Sequence, residues 1–224
     1  MRLVLDTNVI VAAFRSRNGA SNLLLRLVDR GAVTPLCSTA LFLEYEAVLS
    51  REETRQVTGH SLEDVASVMS ALAAVSEGVD ISFRTRPMLS DVADEMVLEA
   101  ALNGQAEAIV THCVKDFRPA FALGMTIATP RDCQESDHMT QTQRYKYPLQ
   151  LPQSLKETAA RLAQEDGVSL NQWIVSAVAQ KIGAVETAAD FLKARAGTAK
   201  RGDLTRLLDR APDVPPMPKD AIKD

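Results

Sequence analysis

The chain opens on Arg2-Leu3-Val4-Leu5-Asp6-Thr7-Asn8-Val9-Ile10, an apolar, partly β-branched run that stops at a carboxylate. Such a run reads as a short buried strand, and the apolar stretch from Val9 to Phe14 as the helix that follows it. Asp6 then falls at the carboxyl end of a strand, the edge where open α/β sheets place their ligands. Two roles stay open for it from this stretch. It is either a ligand-binding acid or a helix cap that shares the job with Thr7 and Asn8.

The same alternation continues downstream. Ser21 to Arg30 carries Leu23, Leu24, Leu27 and Val28 at helical spacing and ends at Gly31. Val33 to Cys37 predicts a second strand, and Ser38 or Thr39 caps a helix from Ala40 to Leu49. Arg51 to His60 is polar and without period. Ser61-Leu62-Glu63-Asp64 is a capping box that opens an amphipathic helix to Val75. Val79 to Phe83 alternates as a strand. Leu89-Ser90-Asp91 leads into a helix with acids in its first turn, which Asn103-Gly104 ends. Ala108 to Thr111 and Met125 to Ala128 complete the strands. Strands alternating with helices predict an α/β domain, a parallel sheet between two layers of helix.

Charge divides the chain. Residues 1–138 hold 12 Lys+Arg against 19 Asp+Glu, whereas residues 139–224 hold 13 against 10. An acidic first part and a basic second part predict two units with different partners, or units that dock on each other. With 46% hydrophobic and 24% charged residues, the composition is that of a soluble globular protein. No apolar run is long enough to span a bilayer and no leader pattern is present, so no membrane partner is expected and the cytoplasm is the expected compartment. Cys37, Cys113 and Cys133 are odd in number and lack metal-ligand spacing.

Asp6, Glu44 and Asp94 are far apart in sequence but occupy strand-end, mid-helix and helix-start positions that a parallel sheet can bring to one edge. Carboxylates brought together repel, and cations among them keep them ionised. Mg²⁺ or Mn²⁺ suits an all-oxygen donor set. Three segments carry a resemblance: Leu3 to Val9, Leu43-Glu44-Tyr45-Glu46-Ala47-Val48-Leu49, and Asp94 to Ala101 followed by Ala108-Ile109-Val110-Thr111. Over roughly residues 1–130 they resemble the PIN-domain ribonucleases, most closely those of bacterial toxin–antitoxin toxins. The resemblance implies a metal-dependent endoribonuclease in which Asp6, Glu44 and Asp94 are catalytic metal ligands. Glu46 is the rival of Glu44, and Asp91 the rival of Asp94. The chain departs from the family at Cys113, where an acid or Asn is usual. Either Asp116 supplies the missing carboxylate or a second metal is weakly held. His112 is expected to contact backbone or phosphate rather than act as a general base.

Residues 131–142 are polar and aperiodic and read as a linker, within which Met139 begins a run that could start an independent protein. Tyr145 to Leu151 then alternates as a strand, and two short helices follow. Forty such residues are too few to fold alone, and the unpaired strand needs a partner strand, most simply from a second copy. Tyr145-Lys146-Tyr147-Pro148-Leu149-Gln150-Leu151-Pro152 and Gly167-Val168-Ser169-Leu170-Asn171-Gln172-Trp173-Ile174 resemble the ribbon-helix-helix part of HicB-type antitoxins, over 143–183. That resemblance implies a dimer, or a dimer of dimers, whose two-stranded ribbon reads operator DNA. Arg144, Lys146 and Gln150 fall on the outward face of the ribbon, with Ser169 and Asn171 at a helix start facing a phosphate. Residues 184–224 read as an arm or flexible tail, unlikely to pack a core of its own. The resemblance implies an antitoxin arm that inhibits the toxin part, with Phe191 and Leu192 as anchors and Arg195, Lys200 and Arg201 as cations for the acidic site.

The expectation is therefore a toxin and antitoxin in one chain: a nuclease at 1–130, a linker, a DNA-binding dimeriser and an inhibitory arm acting in cis or in trans. Its partners would be RNA substrate, operator DNA and a second copy. Two other readings stand beside it. One is a catalytically impaired scaffold serving a DNA-binding regulator, and the other an RNA-processing nuclease that the arm does not inhibit.

Overall fold

A computed structural model of the chain describes residues 1–85, 87–133, 156–161 and 187–222. It divides into two compact units, Met1–Asp137 with Ala188–Asp224, and His138–Thr187. Within the second unit, residues 156–161 are helical. The expected ribbon, and with it Arg144, Lys146, Gln150, Ser169 and Asn171, lies outside the described residues. No helix among the described residues is long and apolar enough to cross a membrane.

The first unit is built on a five-stranded, all-parallel sheet, as the strand–helix alternation predicts. In chain order its elements are β1 (Arg2–Leu5), α1 (Thr7–Arg15), α2 (Ala20–Asp29), β2 (Thr34–Cys37), α3 (Thr39–Ser50), α4 (Glu52–Thr58), α5 (Leu62–Val75) and β3 (Glu77–Gly78). Then follow α6 (Val92–Gly104), β4 (Ala108–Val110), a 3-10 turn (Arg118–Leu123), β5 (Ile127–Ala128), α7 (Ala188–Ala196) and α8 (Asp203–Leu208). The strand order is β3-β2-β1-β4-β5. Parallel pairing sets Leu3 beside Pro35 on one side and Ala108 on the other, with Leu5 beside Val110. Successive residues Leu3, Val4 and Leu5 point to opposite faces, yet all are buried. Both faces of the sheet are therefore covered by helices, the condition under which parallel sheets occur.

Local chemistry accounts for the helix boundaries. Asp6 caps α1, and Ser38 caps α3 by accepting from the Leu41 N–H. Ser61 and Asp64 form the reciprocal capping box that the sequence announces. Two segments differ from expectation. The polar stretch after Arg51 contains α4, whose polar residues hide it from a search for apolar period; Glu52 and Glu53 favour its first turn and Gly59, at φ 73°, ends it. The strand expected at Val79–Phe83 is instead confined to Glu77–Gly78. Beyond the ladder bond from Val79 N to Cys37 O, the backbone of Ser82 and Phe83 pairs with the Asn103 amide rather than with a strand.

The core is discontinuous in sequence. Leu192 of α7 and Leu204 and Leu208 of α8 are at most 2% exposed and join the same cluster as Leu3, Phe14 and Val68. α7 packs on α5 and β3, and α8 on α2 and α5. Asp29, buried at the end of α2, accepts hydrogen bonds from Gly202 N at 2.8 Å, Thr205 N at 3.0 Å and Thr205 Oγ1 at 2.5 Å. It thus serves α8 as a cap supplied by another helix. Leu208→Ala should accordingly cost about 2–5 kcal/mol in urea unfolding, the range for a buried leucine. A tail lying free in solvent would show no such loss.

His60 is buried with its ring edge-on to Phe14, centroids 5.2 Å apart. Burial pushes its pKa below the usual 6.5. The folded chain therefore holds fewer protons here than the unfolded chain, and stability present above pH 6.5 is lost as the pH falls below it. Thermal melts at pH 7.5 and 5.5 should show a smaller acid-induced drop in His60→Gln than in the native chain.

Candidate active site

The site begins where β1 ends. The Asp6 backbone N–H still belongs to the sheet, donating to Val110 O at 2.9 Å, while its carbonyl accepts the first bonds of α1. Its carboxylate is 6% exposed and held from two sides. Oδ2 accepts from Asn8 Nδ2 at 2.6 Å and from Thr111 Oγ1 at 2.6 Å. Asn8 also donates to Thr111 Oγ1 at 3.2 Å and accepts the His112 N–H at 3.2 Å. Of the two roles left open by the sequence, the structure fills the cap: Asp6 caps α1, and its carboxylate stands at the sheet edge. Burial raises its pKa, against the hydrogen bonds from Thr111, Asn8 and Thr7 and the charge of His112, which lower it.

Asp94, in the first turn of α6, faces this group. Its carboxyl is pushed up to about 6, first by burial and then by the neighbouring charges of Asp6, Asp91, Asp116 and Glu95. Asp6, Asp91 and Asp116 therefore lie near enough to Asp94 for their charges to act on it. Glu44 lies half-buried on α3 with Arg51 Nη2 at 3.9 Å. α3 itself is tied to the site, since Tyr45 donates its hydroxyl to the Leu5 carbonyl. Glu46 pairs with Arg195. Cys113 donates its N–H to Thr111 Oγ1 at 2.9 Å, and its thiol is pushed up by burial, with Asp116 and Asp6 adding to the shift.

Among the described residues no three His, Cys, Asp or Glu side chains close to metal-binding spacing. The donor chemistry nonetheless fits a hard divalent cation. Asp6, Asp94 and Asp116 offer carboxylate oxygens, and the burial and like charge that raise the Asp94 pKa are what a cation among them would relieve.

The arm's residues fall elsewhere on the same unit. Phe191 packs edge-on to Phe42 at 5.6 Å, and the Arg195 guanidinium lies 5.4 Å from the Phe42 ring centroid. Lys200 meets Asp203 through its backbone N–H at 2.9 Å, and Arg201 donates to Val28 O at 3.3 Å. None of these three cations has a described contact with Asp6 or Asp94. The arm approaches the site instead through Asp220, which is 1% exposed and reaches Ser21 and His112. Sequence reasoning missed Thr111, Ser21 and Asp220 as site residues. Thr111 was legible as the hydroxyl at the end of the strand beside Asp6, but Asp220 lies in proline-rich sequence with no period to place it.

Because Asp94 is raised above its ordinary 3.8, the folded chain loses stability as pH rises from 3.8 through about 6. Asp94→Asn should therefore melt higher than the native chain at pH 7.5 in chelator. It should also lose whatever stabilisation Mn²⁺ gives the native protein, as read by thermal shift.

A family model described as the PIN domain matches residues 2–115, and a model described as the HicB family matches residues 146–178. No curated protein and no solved structure matches the chain. PIN domains are generally metal-dependent nucleases, and a PIN domain together with a HicB region suggests a protein of toxin–antitoxin type. The match covers half of the sequence and coincides with the parallel sheet that carries Asp6 at its edge: the chain belongs to the PIN-domain family.

Proposed function

We propose that the chain is a toxin and its antitoxin in one polypeptide, a metal-dependent endoribonuclease restrained by its own C-terminal arm. The observation that supports this most is the crowding of Asp6, Asp94 and Asp116 at the carboxyl end of β1. These three would hold Mg²⁺ or Mn²⁺, with Glu44 on α3 as the family's further carboxylate and Asp116 in the place that Cys113 leaves without an acid. The ion, when bound, supplies an activated water and charge stabilisation for an in-line displacement at phosphorus. Thr111 and Asn8 fix the Asp6 carboxylate so that it need not reorganise during the reaction. The HicB region would dimerise and bind operator DNA through Arg144, Lys146, Gln150, Ser169 and Asn171, silencing the chain's own expression.

Restraint is supported by the packing of residues 188–222 on the nuclease unit, with Leu192, Leu204 and Leu208 in its core. The test compares RNA cleavage by the whole chain and by residues 1–138, each with Mn²⁺, with Asp94→Asn as the blank in both. The short form should cut and the whole chain should not, provided circular dichroism shows the short form folded. Equal cleavage by both would remove the restraint, and a folded short form without activity would remove the nuclease.

A further inference from the structure

The end of α1, the turn after it and the first turns of α2 form one strip of the nuclease unit. It carries Arg17, Arg26 and the first backbone N–H groups of α2, whose cap, Gly19, has no side chain to offer them. Residues 209–220 lie along this strip and meet it with carboxylates. Asp209 pairs with Arg26 at 2.6 Å. Asp213 pairs with Arg17 and accepts from Asn18 Nδ2 at 2.8 Å. Asp220 accepts from Ser21 N at 2.7 Å and Ser21 Oγ at 2.6 Å, with His112 Nε2 at 3.5 Å, while its carbonyl accepts the Ala20 N–H at 2.8 Å. A Cβ at position 19 would collide with the Asp220 carboxylate, so the close approach depends on glycine.

The Asp209 and Asp213 side chains are 59% exposed, and ion pairs so exposed stabilise a fold very little. What they do is neutralise the strip. Asp220 does more, because a buried carboxylate at the N-terminus of a ten-residue helix occupies the position that a phosphate takes in anion sites. The strip also adjoins the acids. His112, which faces Asp220, gives its N–H to Asn8, and Asn8 donates to Asp6.

We propose that Arg17, Arg26 and the α2 N-terminus with Ser21 and His112 form a track for the phosphodiester backbone of single-stranded RNA, and that Asp209, Asp213 and Asp220 stand in for its phosphates. The proposal rests on the nuclease reading and names how substrate and arm exclude each other. An arginine fork accepts a phosphate as it accepts a carboxylate, and the same helix N–H groups serve either anion. RNA and the tail therefore compete for one set of donors. The arm closes the enzyme by imitating the substrate rather than by placing cations among the acids.

The test uses the whole chain in chelator, so that nothing is cut. Binding of a short fluorescent single-stranded RNA is read by anisotropy, and the state of residues 209–222 by limited proteolysis. Two variants remove the imitation: Asp209→Asn with Asp213→Asn, at exposed positions that spare the fold, and Asp220→Ala. Asp220→Ala should open the tail to protease, each variant should raise RNA affinity, Asp220→Ala by about tenfold, and adding Arg17→Ala and Arg26→Ala should cancel the gain and lessen the salt slope by about two. Unchanged affinity in both variants would overturn the proposal, whatever the tail does, and so would a gain that survives loss of the two arginines. The nuclease reading is judged separately in Mn²⁺. A tail-released chain that binds RNA more tightly and never cuts would sink that reading and keep the track, and cutting with affinity indifferent to the tail's charge would do the reverse.

Discussion

The Asp6 carboxylate is the point on which the first unit turns. It ends β1, caps α1 and, through Thr111, is bonded to the end of the neighbouring strand. A buried carboxylate costs free energy unless hydrogen bonds hold its charge, and here two side chains, Asn8 and Thr111, are committed to that. The same arrangement that satisfies the fold fixes the acid's position against Asp94. In the proposed reading, structural and chemical roles would coincide in one residue.

Burial and like charge then act in the same direction on Asp94. Each neighbouring carboxylate makes its ionised form less favourable, so the cluster stores electrostatic strain that the rest of the core offsets. A fold optimised only for stability would not gather acids at a sheet edge. That it does so at the carboxyl end of the central strand, where loops can vary without disturbing the sheet, is the physical reason for treating this edge as the site.

Much of this was legible in the sequence because the determinants are local. The apolar run into Asp6, the capping box at Ser61 and the Asn103-Gly104 stop each announce an element within a few residues. α4 escaped because Val57 is its one apolar residue and sets no period, and β3 was misjudged because Asn103, about twenty residues away, takes the backbone bonds of Ser82 and Phe83. The arm was the least legible part. Leu204, Leu207 and Leu208 look like a weak patch in isolation, and their burial depends on a groove between α2 and α5 that no local pattern describes. Asp29 and Asp220 likewise have partners more than 170 residues distant.

The return of residues 188–222 to the unit formed by residues 1–137 has a consequence for regulation by mass action. When inhibitor and enzyme are separate molecules, their complex weakens as both become scarce. If residues 188–222 are the inhibitor proposed for this chain, a covalent tether makes their docking intramolecular and therefore independent of the amount of protein. Dilution and slow turnover of one partner, the usual routes by which a paired inhibitor is lost, have no purchase on such a chain. In the proposed reading, restraint of such a chain would yield only to a competitor at the docking surface or to scission of the tether, and enzyme and inhibitor would be inherited in a fixed ratio of one to one.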